Sequence, residues 1–161
     1  MVESPGPQGD GDALVSNLPG IGLSIRTADC LPILIADPRK RAVAAIHAGW
    51  RGVVSEIASK AIHTMCLRFD SKPEDLVVAI GPGIGACCFE VGPEVAAQFH
   101  LEGRVKVDLV ETTCRELGRI GIAPGQISTS GFCSYCNPEL LESYRRDRET
   151  AGRMVAMIGI E

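Results

Sequence analysis

The chain has 161 residues, 45% hydrophobic and 22% charged, with a net charge of -4. That suits one globular domain with an aliphatic core, since aromatics make up only 4%. The acidic balance argues against a nucleic-acid groove, and no apolar run approaches the ~18 residues of a membrane span.

The N-terminal MVESPGPQGDGD is polar and rich in Gly and Pro, so it reads as an arm. It lacks the basic start and apolar run of a secretory signal. Seven cysteines, an odd number without regular spacing, then point to reduced thiols and a cytoplasmic location. IGLSIR (Ile21 to Arg26) and LPILIA (Leu31 to Ala36) are strand candidates. DPRK (Asp37 to Lys40) has turn chemistry with Pro at its second position. RAVAAIH (Arg41 to His47) is the next strand, broken by AGWRG.

From Trp50 the period changes. Trp50, Val53, Val54, Ile57, Ala58, Ala61, Ile62, Met65 and Phe69 follow the i, i+3, i+4, i+7 rule and predict one amphipathic helix. SKPED is a loop, Leu76 to Ile80 a buried strand and GPGIG a glycine loop. Pro93 opens a short helix to about Phe99. VKVDLV is a strand leading into a helix from about Glu111 to Ile120. Asn137-Pro138 has the composition of a helix start, and Met154 to Ile160 is a closing strand. Strands and helices mix without strict alternation, which predicts an α/β or α+β fold with a mixed sheet.

If DPRK is a four-residue hairpin loop, Ala36 pairs with Arg41 and Cys30 lies opposite His47. Facing side chains then have Cβ atoms roughly 4.5–5.5 Å apart. A thiol and an imidazole at that distance can share a hydrogen bond or a metal ion. Gly49 lets backbone approach a ligand. The start of the following helix attracts anions, and Arg51 adds a planar fork of donors suited to phosphate. A buried Cys, a satisfied His at a strand end and a surface Arg account for the same residues, so the pair stays open between chemistry and core.

GPGIGACCFEVG is not a dinucleotide fingerprint. Cys87 or Cys88 could line a ligand loop or be structural. Cys133-Ser134-Tyr135-Cys136 is a lone C-x-x-C. A zinc ribbon needs two such knuckles, and Cys87-Cys88 has the wrong spacing for the second, so the sequence argues against structural zinc. A thioredoxin-type redox motif would open a helix, which Asn137-Pro138 follows too closely. Arg145, Arg146 and Arg148, interleaved with acids, read as a solvated helix end. His63 falls on the polar face of its helix, His100 has no identifiable partner, and Trp50 fits a core position better than a base-stacking one.

TADCLPILIADP, AAIHAGWRG, AIGPGIGACCFEVG and SYRRDRETAGRM, in this order and spacing, resemble the laccase-domain family. That family is also called polyphenol oxidase, multicopper-oxidase type 4 or purine nucleoside phosphorylase. The resemblance runs from about Asp12 to Ile160 and makes residues 1–161 one domain of that family. It implies a mixed-sheet multilayer sandwich similar to the cytotoxic necrotizing factor-type cysteine deamidases. It also implies a metal, zinc or alternatively copper, held by Cys30 and His47. The family's third ligand, a His in a Q-V-H-G motif before an A-D-A-L-V segment, has no counterpart before GDALVS, so the chain reads as N-terminally shortened.

The implied activities are phosphorolysis of adenosine, inosine or methylthioadenosine, adenosine deamination and copper-dependent phenol oxidation. Nucleoside and phosphate are then the partners, with no nucleic acid and no membrane. Cys30 and His47 would be catalytic, with Arg51, Gly49 and Cys88 on the substrate. A metal-free Cys–His hydrolase or deamidase, and an inactive truncated binding domain, are the competing readings. The sequence does not fix the oligomeric state.

Overall fold

A computed structural model describes residues 1–161 except Pro5, Pro7 and Gln8. In chain order it contains β1 (Ala13–Ser16), β2 (Gly22–Thr27), β3 (Leu31–Asp37), β4 (Ala42–Ala48), α1 (Trp50–Val54), α2 (Ile57–Phe69) and β5 (Val77–Ile80). There follow β6 (Glu90–Val91), α3 (Pro93–Gln98), β7 (Val105–Lys106), α4 (Leu109–Arg119), β8 (Ile127–Thr129), α5 (Tyr144–Asp147) and β9 (Met154–Gly159).

The main sheet has the order β1-β4-β3-β5-β8. Only β5–β8 is parallel, so the sheet is mixed. Strands β3 and β4 are buried along nearly their whole length. Their continuous apolar runs need that, because both faces of the sheet are covered. Ile33, Ile35, Ala44 and Ile46 join Ala58, Ala61, Ile62 and Met65 of α2 and Leu109 and Leu117 of α4 in one core. The alternate residues Leu34, Ala36, Val43 and Ala45 pack with Leu23, Ile25, Ala156 and Ile158 of the antiparallel β2–β9 ribbon. The layers are helices, mixed sheet and ribbon, an α/β architecture. Val2 at the start of the arm is buried, and its N–H donates to the Val15 carbonyl at 2.8 Å.

Three local expectations change. The periodic run from Trp50 is two helices, because Glu56 takes a left-handed conformation at φ 56°. A Cβ on Gly52 would lie 3.3 Å from the Ile57 side chain, so the two helices stay in contact across the break. The apolar stripe survives such a kink, which is why periodicity alone did not reveal it. Helix α4 starts at Leu109, because the Asp108 side chain accepts from the Glu111 N–H at 2.9 Å as an N-cap. Asn137-Pro138 opens only a turn: the Asn137 carbonyl accepts from Leu140 and Leu141, and its amide donates to the Cys133 carbonyl. Helix α5 waits until Ser143, whose hydroxyl accepts from the Arg146 N–H.

Candidate functional site

The hairpin register differs from the expected one by two residues, with Ala36 opposite Val43 instead of Arg41. Asp37 opposes Ala42 and Pro32 opposes His47. The cause is the loop. One Asp37 carboxylate oxygen accepts the N–H groups of Arg39 and Lys40 at 2.9 Å each, and Arg41 closes the turn with φ 50°. The loop is therefore Pro38 to Arg41. Moving two places keeps the parity, so Cys30 and His47 remain on the same face of the sheet, now as diagonal neighbours. The residue across from Cys30 is Gly49, where an added Cβ would sit 3.1 Å from the Cys30 sulfur. Gly49 thus gives the thiol room.

Cys30, just before β3, and His47, near the end of β4, line one cavity. A hydrogen bond with the Cys30 sulfur is the strongest influence on the His47 imidazole, and it raises the pKa to about 9 against partial burial, with Asp12 adding to the rise. His47 Nδ1 lies 2.8 Å from Asp12 Oδ1. A carboxylate has no proton to give, so Nδ1–H donates and the other ring nitrogen is left for Cys30. The Asp12 carbonyl also accepts from the His47 N–H at 2.8 Å. Asp12 is positioned because β1 pairs with β4 and Ala13 opposes Ile46, which puts Asp12 beside His47. Nothing local in the sequence marks that pairing, and the sequence reading missed Asp12.

Asp29 organises the loop that carries Cys30. It is buried, with φ 83°. Its carboxylate accepts from Ser134 Oγ at 2.6 Å and from the Arg145 N–H at 2.5 Å, and its carbonyl accepts from the Ile84 N–H at 2.8 Å. Three distant segments are thereby tied next to Cys30. Gly83 belongs to the same junction, since a Cβ there would lie 2.5 Å from Leu31 Cδ2 and 2.9 Å from the Asp29 carbonyl.

Cys30 and His47 line a cavity of about 420 Å³ together with Arg26, Phe89, Arg145 and Arg153. Its cationic side chains come from β2, α5 and the segment before β9. Arg51 is exposed and stacks over the Trp50 ring at 4.3 Å, outside the residues that line this cavity. Trp50 itself packs against the core. Arg145 and Arg146 are not a solvated helix end. The Arg145 guanidinium lies 5.4 Å from the Phe89 ring and donates to the Glu90 carbonyl. Arg146 pairs with Asp147 and donates to the carbonyls of Ser134, Tyr135 and Leu141. His63 is exposed, as expected from its helix face.

Cys88 does not line the cavity. The sulfurs of Cys87, Cys88, Cys133 and Cys136 all lie within 4.8 Å of one another, which overturns the sequence argument that the two pairs could not form one set. Spacing along the chain ruled out a ribbon, but the Gly83–Cys133 bridge brings the two loops side by side. Among the described residues this is the group of three or more such donors that could share an ion.

The family described as multi-copper polyphenol oxidoreductase laccase matches residues 2–161. A purine nucleoside phosphorylase of Deinococcus radiodurans is 40% identical over 94% of this chain and 62% of its own length. One from Bacteroides thetaiotaomicron is 36% identical over 92% of this chain and 60% of its own. The crystal structure of YlmD from Geobacillus stearothermophilus superposes with a TM-score of 0.88 at 35% identity, covering 93% of this chain and 61% of that one. The chain thus spans about three fifths of the length of these relatives. No helix among the described residues is long and apolar enough to cross a membrane. By sequence over nearly its whole length and by fold, the chain belongs to the multi-copper polyphenol oxidoreductase laccase family.

Proposed function

We propose that this chain carries the reaction centre of a zinc-dependent purine nucleoside phosphorylase, with Cys30 and His47 at its core. The observation that carries the reading is the meeting of Cys30 and the Asp12-oriented His47 in one cavity with three arginines. The names of the relatives support phosphorolysis as the reaction class.

Cys30 and His47 are donors of the kind zinc takes: a soft sulfur and an imidazole whose second nitrogen is fixed by a carboxylate. The same donors suit copper, so zinc is the first reading and copper the alternative. Cys30 and His47 would hold the ion, and bound zinc supplies a fixed positive charge that polarises a coordinated oxygen. The rest is done by the protein's own groups. Arg26, Arg145 and Arg153 offer donors for the phosphate, a role that the exposed Arg51 is less well placed to fill. Phe89 gives the cavity an apolar wall. Asp12 keeps the His47 ring oriented with its Nδ1 proton held.

Replacing Cys30 with Ala is expected to remove phosphate-dependent release of purine base from adenosine, inosine and methylthioadenosine by at least ~100-fold, with loss of the ion held there. Full turnover by a Cys30→Ala chain lacking that ion overturns the reading, and so does wild-type protein with no phosphorolysis. Inosine formed from adenosine without phosphate registers the deaminase activity separately.

A second reading rests on the same Asp12 contact. Cys30, His47 and Asp12 have the composition of a nucleophile, base and orienting acid, as a metal-free hydrolase or deamidase of the cytotoxic necrotizing factor type would need. Iodoacetamide separates the two: a free nucleophilic Cys30 alkylates at once, whereas a metal-held one alkylates only after chelation.

A further inference from the structure

We propose that Cys87, Cys88, Cys133 and Cys136 form a second, structural metal site that binds one zinc ion. The site is independent of Cys30 and His47 and clamps together the two loops that support them.

Four sulfurs within 4.8 Å of one another match one tetrahedral ion. A zinc–sulfur bond of about 2.3 Å gives a tetrahedral edge of about 3.8 Å. Two pairs in the cluster already stand near it, Cys87–Cys136 at 3.7 Å and Cys88–Cys136 at 3.3 Å. An iron–sulfur cluster, whose inorganic core must fit between the thiolates, needs them further apart. A disulfide would use two of the four and leave two thiols crowded against it without a role.

The backbone is built for thiolate sulfur. The Gly85 N–H donates to Cys133 Sγ at 3.2 Å. A Cβ on Gly85 would lie 3.2 Å from Cys133 Cβ and 3.3 Å from Cys87 Sγ, so glycine lets the two loops close. The Cys88 and Phe89 N–H groups both donate to the Gly85 carbonyl, folding the vicinal pair into a tight turn. On the other loop, Ser134 N–H donates to the Gly83 carbonyl at 2.8 Å, and Arg146 holds the carbonyls of Ser134 and Tyr135. Both loops are therefore held by contacts other than the cysteines, which favours binding by lowering the cost of ordering the site. Binding deprotonates the thiols and releases the protons to buffer.

The clamp meets the proposed reaction centre at Asp29, whose carbonyl accepts from the Ile84 N–H of the glycine loop. Ser134 lies inside the C-x-x-C, and its hydroxyl donates to buried Asp29, the neighbour of Cys30. Zinc is redox-inert, so its role here is to hold, not to react.

The test uses the full chain with Cys30→Ala and His47→Ala, purified under reducing conditions without metal and titrated with cobalt(II). One equivalent is expected to give the intense visible bands and the thiolate charge-transfer absorption of tetrahedral cobalt bound by four sulfurs. One equivalent of zinc should then bleach them. Cys133→Ser and Cys87→Ser should each lose that spectrum while circular dichroism reports retained secondary structure. No uptake by the Cys30→Ala, His47→Ala chain with four freely alkylated thiols overturns the proposal. So does an octahedral spectrum. Because Cys30 and His47 are absent from the tested chain, neither outcome depends on the proposed reaction.

Discussion

Asp12 orients His47 in the proposed reaction centre without chemistry of its own to perform. Its carboxylate fixes which nitrogen of His47 carries the proton, and the Cys30 sulfur does more to hold the imidazole protonated up to about pH 9. In metal-free protein, the ring protons of His47 should therefore titrate near 9 by NMR. Asp12→Asn should lower that midpoint and Cys30→Ala should lower it further; equal shifts, or none, contradict the assignment. A folded-state pKa raised above about 6.5 favours the protonated fold. That contribution is fully present below about pH 6.5 and is lost as pH rises through about 9. A methyl group at Gly83 meets Leu31 at 2.5 Å and the Asp29 carbonyl at 2.9 Å. Gly83→Ala should cost about 1–3 kcal/mol, seen as a lower urea midpoint, because two packed segments must separate. An unchanged midpoint would mean that the junction is looser than described.

At the scale of elements, the hairpin loop decides the site's geometry. Asp37 accepts two loop N–H groups and sets where β3 ends, and every pairing downstream follows from that choice. A shift of one residue would have turned Cys30 and His47 to opposite faces. The shift of two leaves them diagonal and opens the place across from Cys30 for Gly49. Helix starts are set by single side chains in the same way. Asp108 caps α4, whose Leu109 and Leu117 are buried against the sheet. Asp108→Ala should lower stability by about 1 kcal/mol in urea denaturation with an unchanged slope. No change in midpoint would show that α4 is held by packing alone.

For the whole molecule, the three layers bring the candidate site residues together at one end. The strand ends of β3 and β4, the glycine loop after β5, the C-x-x-C and the segment around α5 converge there, and Asp29 joins them. A metal clamp on the four cysteines should therefore act on global stability. Saturating zinc is expected to raise Tm by roughly 5–10 °C in a Cys30→Ala, His47→Ala background and to leave the further Cys133→Ser variant unmoved. An equal rise in both would place the stabilising ion elsewhere.

Much of this was legible in the sequence because it depends on local pattern. The apolar runs of β3, β4 and β5 mark buried strands. The turn after Asp37 marks a hairpin, and the parity of that hairpin puts Cys30 and His47 on one face even with the loop misplaced by one residue. The motifs around those residues identify the family. What the sequence could not determine depends on contacts between segments far apart in the chain. The pairing of β1 with β4 brings Asp12 to His47. The inward turn of Arg145 and Arg146 depends on carbonyls supplied by other loops. The meeting of Cys87-Cys88 with Cys133 and Cys136 requires the Gly83–Cys133 bridge. The physical reason is the same in each case. Hydrophobic period and turn chemistry act over a few residues and are written along the chain. Partner choice between distant loops is decided by how the finished layers pack, and only the tertiary structure contains it.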